Sequence, residues 1–415
     1  MGFFRYLDDY LCCDEVSLNK IAERFGTPTY VYSESAILES YGQIESGLRS
    51  VSGLICYSVK ANSNLKILDV LRRAGAGFDI VSGGELLRVR KAGGMPEGIV
   101  FSGVGKTEAE IDAGLEAGIL MFNVESAGEL EVIEARARHA GKPASIAIRV
   151  NPDVEAETHP YVATGRVIHK FGVPKEEAIA LYRRAAGSEH LRVRGVACHI
   201  GSQILAIEPF LEALAEIAGV AERLRAEGIS VEFLDLGGGF GIRYENEQPL
   251  DIESLTQALT ARMRTLPYRL IVEPGRALVA EAGILLARVL YVKGNEQKSF
   301  VVVDAGMNDL LRPALYGSYH SIVPVERRSE GNLIADVVGP LCETGDFLAQ
   351  DRALPKVRPG DLIAVMTTGA YGYVLTSNYN SRPRPAEVLV RGDQVELIRR
   401  RESESDMLAT ESSLK

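Results

Sequence analysis

Cysteine and histidine are too few and too scattered in this 415-residue chain to build a framework. The five cysteines stand at 12, 13, 56, 198 and 342. An odd count with a single adjacent pair suggests neither a disulfide scaffold nor a zinc knuckle. The six histidines show no pair at metal-ligand spacing, so no metal is assigned. Basic excess is missing too: 46 Lys and Arg against 56 Asp and Glu give a formal charge of −10, which speaks against a nucleic-acid partner. No apolar run approaches the roughly 20 residues that span a bilayer. The opening Met-Gly-Phe-Phe-Arg-Tyr lacks a basic region followed by an apolar core, so no secretory signal is expected. Tyr6 stands where N-myristoylation needs Ser or Thr. A reduced, cytoplasmic globular protein without membrane or nucleic-acid partners is expected.

Hydrophobic residues make up 46% and charged residues 25%, ordinary for a folded chain. At roughly 150 residues per domain, two or three domains fit. The first two thirds alternate short β-rich runs with amphipathic stretches. The runs are Leu54–Val59, Phe78–Val81, Gly98–Ser102, Leu120–Val124, Ser145–Val150, Arg194–Ile200, Val231–Leu236 and Arg269–Glu273. Each is continuously apolar rather than alternating, as in strands buried on both faces. Eight such strand–helix repeats fit a closed (β/α)8 barrel in the α/β class, although an open doubly wound sheet has the same pattern. After Glu281 the β-rich runs crowd together with turns between them, as in an antiparallel β domain. Thr29–Tyr32 precedes the first repeat and is expected to pair with that domain. The expected division is therefore 1–34 joining the β domain, 35–280 the barrel, and 281–415 the C-terminal β domain. The last ten or so residues, rich in Ser and Glu, are expected to fray.

Barrels of this kind carry their active-site groups at the carboxyl ends of the strands. Four strands here deliver chemistry to that rim. The first runs into Lys60-Ala61-Asn62, and the sixth ends at His199 with Gly201-Ser202-Gln203 following. The seventh gives Gly237-Gly238-Gly239-Phe240-Gly241, and the eighth Glu273-Pro274-Gly275-Arg276. Asp79 lies in the second strand. Each feature alone has an ordinary reading: a solvated lysine, a structural histidine, a flexible turn, a local ion pair. Together they describe one ligand with a phosphate, a flat ring and an electrophile for a lysine. Pyridoxal phosphate (PLP) has these features. A lysine takes it as a Schiff base and an acid opposite the pyridine nitrogen keeps the ring an electron sink.

The segments Tyr57–Asn62, Phe78–Glu85, His199–Gln203, Gly237–Gly241 and Glu273–Arg276 resemble the motifs of the fold-type III PLP decarboxylases, the alanine racemase-like fold. Over almost its whole length the chain is similar to their diaminopimelate decarboxylase branch. The narrower match lies in Asn308–Tyr316, Gly339–Thr344, Gly369–Gly372 and Ser377–Pro383. The resemblance implies that Lys60 holds PLP and Glu273 faces its ring nitrogen. It implies that His199 stacks on the ring and that Asp79 belongs to the cofactor site. Ser202, Gly237, Gly238, Gly239, Gly275, Arg276 and Tyr371 would hold the phosphate. Arg276, Arg312, Tyr316 and Tyr371 would line the substrate site, with the arginines on a carboxylate. Glu343 would take a distal ammonium group, and Cys342 would return a proton to the substrate carbon.

The implied substrate, meso-2,6-diaminopimelate, carries an amino and a carboxyl group at each end and leaves L-lysine. Extra arginines together with Glu343 suit that substrate. Ornithine, arginine or carboxynorspermidine decarboxylases of the same fold group are the alternative enzymes, and the first two have no use for a distal carboxylate site. A racemase would need a tyrosine as second base. A non-catalytic relative would be expected to lose Lys60, Glu273, Cys342 or Tyr371, and all four are present. Two further expectations follow. The long connection Asn151–Phe171 is read as a lid over the substrate, and the protein as a homodimer whose active sites are shared between chains.

Overall fold

The computed structural model describes residues 3–154, 170–328 and 331–412. The eight expected barrel strands form, at Gly53–Ser58, Gly77–Ile80, Ile99–Phe101, Met121–Val124, Ala144–Arg149, Leu191–Ala197, Phe233–Asp235 and Arg269–Val272. They pair in parallel and close, the last onto the first through Leu270 opposite Gly53 and Val272 opposite Ile55. The barrel is thus closed, and the open-sheet alternative falls. His199, expected to end the sixth strand, lies two residues beyond its last residue, Ala197.

Alternation along these strands decides what the barrel interior holds. The inward residues Cys56, Val100, Met121, Ala147, Ala197, Phe233 and Ile271 form one buried apolar cluster. Two residues further on, the side chains of the same parity are Ser58, Ser102, Asn123, Arg149, His199, Asp235 and Glu273. The interior is an apolar floor with a polar layer at the strands' carboxyl ends. Burying one Phe or Ile of that floor is worth roughly 1.5–3 kcal/mol, so the floor fixes the rim's position. The helices between strands start where the sequence supplies caps. Ser82 and Ser126 accept from the amides of Glu85 and Glu129, and Thr107 with Glu110 makes a reciprocal capping box.

A second compact unit comprises residues 1–39, 244–247 and 278–415, and the barrel unit comprises 40–243 and 248–277. Tyr244–Glu247, read from the sequence as part of the barrel, groups with the β unit. Thr29–Ser33 pairs antiparallel with Gly283–Gly294 and parallel with Ala386–Arg391, so the N-terminal run does join the β unit. The sheet is mostly antiparallel. A second parallel pairing joins Phe300–Val302 to Asp336–Val338. Three short strands at Phe4–Leu7, Tyr10–Cys13 and Val16–Ser17, and two more at Ile322–Pro324 and Phe347–Pro355, escaped the sequence reading. Their pattern is broken by charges and turns, and packing against neighbouring strands stabilises them. Leu11, Cys13, Leu18, Val31, Ile284, Leu286, Val388 and Val390 share the core of this unit. The tail expected to fray includes a helix, Glu404–Leu408, capped by Ser403 and Asp406. Of the Asn151–Phe171 connection expected to act as a lid, residues 155–169 lie outside the described residues. Among the described residues no helix is long and apolar enough to cross a membrane.

Candidate active site

In the barrel unit, Lys60 sits in the 3-10 turn Val59–Ala61 that follows the first strand. Its Nζ lies 2.7 Å from Asp79 Oδ2, and Asp79 is fully buried. Ser58 Oγ is 2.8 Å from the same oxygen and 2.9 Å from the carbonyl of Glu273. One hydroxyl therefore ties the first, second and eighth strands at the level of the lysine. Asp79, expected to contact a cofactor, here holds the amine of Lys60.

Glu273 is buried, and its Oε1 has no hydrogen-bond partner among the described residues. Burial first, then the charges of Asp235 and Asp79, push its carboxyl well above the usual range. Asp235, on the neighbouring strand, is pushed up to about 6, chiefly by burial. Asn123 Nδ2 donates to it at 2.9 Å. His199 is held by the amide of Gly238, which donates to Nδ1 at 3.1 Å. With Nδ1 accepting, the ring's own N–H sits on Nε2. Burial and then the charges of Arg149 and Lys60 push its pKa well below the ordinary histidine value, so the imidazole is neutral.

The glycine turn serves this ring. Gly237 has φ +71, and a Cβ there would come within 2.7 Å of His199 Nδ1. A Cβ on Gly238 would collide with the carbonyl oxygen of Glu273. The amides of Gly237 and Gly238 are spent on Asp235 and His199, so these two glycines contribute room rather than amide donors. Ser202 Oγ accepts from Arg276 Nη2 at 2.8 Å. Lys60, Asp79, His199, Ser202, Gly237–Gly239, Glu273, Gly275 and Arg276 all belong to this one unit.

Sequence reasoning missed the layer that supports them. Asp235, Asn123, Arg149 and Glu125 are buried, and Arg149 Nη1 bonds Glu125 Oε1 at 2.7 Å. Glu125 Oε2 in turn accepts from the amide of Gly172 at 2.7 Å. The signal was available: each of Asn123, Arg149 and Asp235 is a polar residue at the end of an apolar strand, two after an inward one.

The β unit holds the other expected residues. Arg312 and Tyr316 share the short helix Arg312–Tyr316, four residues apart on one face. Arg312 is buried, donates to Tyr244 Oη at 2.8 Å and to Ser318 Oγ at 3.2 Å, and stacks on the Tyr244 ring. Tyr244 is the contact that the sequence reading did not foresee. Cys342 and Glu343 are exposed in a loop wrapped around the buried Asp346. Asp346 accepts the amides of Met307 and Leu341, both at 2.6 Å. Asn380 Oδ1 accepts from the amide of Cys342 at 3.1 Å. Tyr371 stands at φ +56, an uncommon backbone for a residue with a side chain and one found at functional sites.

The residues fit PLP on the structure's own terms. A buried carboxyl with an open oxygen matches a protonated ring nitrogen, and a neutral flat imidazole beside a side-chain-free turn matches a ring face. Lys60 supplies the amine for a Schiff base, and Ser202 with Arg276 suits a phosphate. Among the described residues no cluster of His, Cys, Asp and Glu has the makings of a metal site.

The profile of the family described as pyridoxal-dependent decarboxylase, pyridoxal binding domain, matches residues 35–280. The diaminopimelate decarboxylase of Pseudomonas aeruginosa is 51% identical over 414 residues, covering 100% of both chains. The crystal structure of diaminopimelate decarboxylase from Helicobacter pylori complexed with L-lysine superposes with a TM-score of 0.92 at 43% identity, covering 95% of this chain and 99% of that one. That of the M. jannaschii enzyme in co-complex with L-lysine gives 0.94 at 38% identity, covering 99% and 98%.

Proposed function

The chain belongs to the diaminopimelate decarboxylases within the pyridoxal-dependent decarboxylase family, and on that premise we propose how its own residues carry the reaction. It removes one carboxyl group of meso-2,6-diaminopimelate as carbon dioxide and leaves L-lysine, the last step of lysine formation by that route. Pyridoxal phosphate, bound through Lys60, supplies a conjugated ring that takes up the electron pair left by the carbon dioxide. The observation that carries the reading is the buried, open-sided carboxyl of Glu273 on the rim that also presents Lys60.

Lys60 Nζ is kept in place by Asp79 and would provide the amine that holds the cofactor. Glu273 would hold the ring nitrogen protonated, and His199, neutral and fixed by Gly238, would cover a ring face without adding charge. Ser202 and Arg276 hold the phosphate, with Gly239 and Gly275 giving backbone access and Tyr371 adding its hydroxyl. Arg312, buried and braced by Tyr244, binds the carboxylate that stays, together with Tyr316. Glu343 receives the distal ammonium group. Cys342 Sγ delivers a proton to the carbon that has lost its carboxylate.

Cys342 and Glu343 are exposed in the single chain. That supports a homodimer in which each chain lends them to the other's site. The protein works in the cytoplasm, in keeping with its scattered cysteines.

The reading is tested with purified, PLP-loaded protein and meso-diaminopimelate, following carbon dioxide and lysine together. Lys60→Ala is expected to lose both turnover and the yellow colour of the bound cofactor. A borohydride-reduced peptide labelled at another lysine would overturn the assignment. Glu343→Gln keeps the shape and removes the charge, so KM for diaminopimelate should rise about tenfold or more. Full activity of the unaltered protein on L-ornithine would count against a distal carboxylate site.

A further inference from the structure

Three carboxyl groups are buried at the carboxyl end of the barrel interior: Asp79, Asp235 and Glu273. Their hydrogen bonds sort them. Asp79 leaves Oδ1 without a donor among the described residues. Its other oxygen faces the Lys60 amine, Nζ at 2.7 Å, with Ser58 Oγ at 2.8 Å, so its charge is paired. Asp235 receives the Gly237 amide on Oδ1 at 3.0 Å and Asn123 Nδ2 on Oδ2 at 2.9 Å. A donor on each oxygen is the environment of an ionised carboxylate. Asn123 is itself anchored, 3.1 Å from Ser102 Oγ. Glu273 Oε1 meets no donor among the described residues.

Asp235 stands opposite Ile271 in the parallel register, and Glu273 follows two residues later. Both side chains therefore enter the interior from adjacent strands at neighbouring levels, and Asp235 raises the proton affinity of Glu273. Two buried carboxyls at the ends of adjacent strands do not both ionise, so one keeps its proton. Asp235 has the donors, so the proton belongs to Glu273. The other titratable groups facing the pair are Lys60 with Asp79, the thiols of Cys56 and Cys198, and Arg149 beside Cys198. Burial pushes both thiols up, so they stay uncharged.

We propose that Asp235 is a positioning residue that, held ionised by Asn123 and Gly237, keeps Glu273 protonated until a ring nitrogen docks against the open oxygen. Glu273 then gives up its proton, to the nitrogen if that arrives bare and to solvent if it arrives protonated. In the first case the buried charge is unchanged. A carboxylate formed on Glu273 balances the new pyridinium, and Asp79, Lys60 and Asp235 stay as they were. The pair is thus a proton store that makes the empty site tolerable and the filled site ionic. This rests on the assignment of Glu273 to the ring nitrogen.

The test uses infrared spectroscopy of the PLP-free protein across pH, reading the band of protonated carboxyl groups. Subtracting the spectrum of Glu273→Gln isolates the Glu273 band, which should persist well above the ordinary carboxyl range in the unaltered chain. Asp235→Asn removes the neighbouring charge and should lower the midpoint of that band by about one unit or more. Asn123→Ala withdraws a donor that holds Asp235 ionised, so part of the proton passes to Asp235 and the Glu273 band at alkaline pH should weaken. A structural role alone would leave the Glu273 band in place in both variants, and if one variant fails to fold, the loss of the band in the other decides. A band that survives Glu273→Gln unchanged, or midpoints unmoved in the variants, overturns the proposal. Because no cofactor is present, that failure is distinct from a failure to release carbon dioxide, which would strike the decarboxylase assignment itself.

Discussion

At the scale of single residues, the site is organised by where protons rest before any ligand arrives. Glu273 is held above its ordinary value by burial and two neighbouring acids. Glu85 and Asp309 are each pushed up to about 7, mainly by burial. A carboxyl whose folded pKa exceeds its unfolded one binds its proton more tightly when folded. The stability it lends is complete below the unfolded value near 4.5 and drains away as pH rises through the folded value. His199, pushed down, acts in the opposite sense, but only below the ordinary histidine range, about 6.5. Between about pH 7 and 8.5 the acids alone set the slope. The melting temperature of the PLP-free protein should therefore fall across that window. Glu273→Gln should flatten the fall and raise the melting temperature at its alkaline end, as scanning calorimetry would show. A melting temperature that climbs with pH there would contradict the burial of these protons.

At the scale of elements, seven of the eight barrel strands hand over from apolar floor to polar layer within two residues. Phe233 belongs to the apolar floor and Asp235 to the polar layer; Ile271 and Glu273 repeat the pattern, as do Cys56 and Ser58. The turn after the seventh strand is bound by sterics. Gly238 has the carbonyl of Glu273 where a Cβ would go, and its amide holds His199. Gly238→Ala must push that turn away from the eighth strand, displacing His199 and Glu273 together. The expected result is a folded protein, judged by far-ultraviolet dichroism, whose PLP affinity drops at least tenfold. Wild-type affinity in the alanine variant would mean that the turn has slack.

At the scale of the whole molecule, the residues proposed for the chemistry are divided between two units of one chain. Lys60 and Glu273 lie in the barrel; Cys342, Glu343 and Tyr371 lie in the β unit. A two-fold dimer that exchanges these sets contains two composite sites. Lys60→Ala chains and Cys342→Ala chains, each inactive alone, should then complement one another after subunit exchange. Half of randomly paired dimers are mixed and each has one intact site of two, so recovery should approach about a quarter of wild-type activity. No recovery, with exchange verified by mass, would show that every site is built within a single chain.

The barrel was legible because its evidence is local: continuous apolar runs, capped helices between them, and motifs at the run ends, from Lys60 to Glu273-Pro274-Gly275-Arg276. So was the cofactor class, since an amine, a flat ring and an acid at strand ends need no coordinates to be named. Closure of the sheet was not local, for it depends on Val272 meeting Ile55 across 217 residues of chain. Nor were the partners of the motif residues. That Gly238 spends its amide on His199, that Tyr244 braces Arg312, and that Asp235 stands behind Glu273 follow from contacts between segments distant in sequence. A linear chain states which groups it carries and how they alternate. Which carboxyl has a donor on each oxygen and which keeps one oxygen open is decided only when Asn123 of the fourth strand reaches Asp235 and the closed barrel excludes water. That placement decides which of the two keeps the proton.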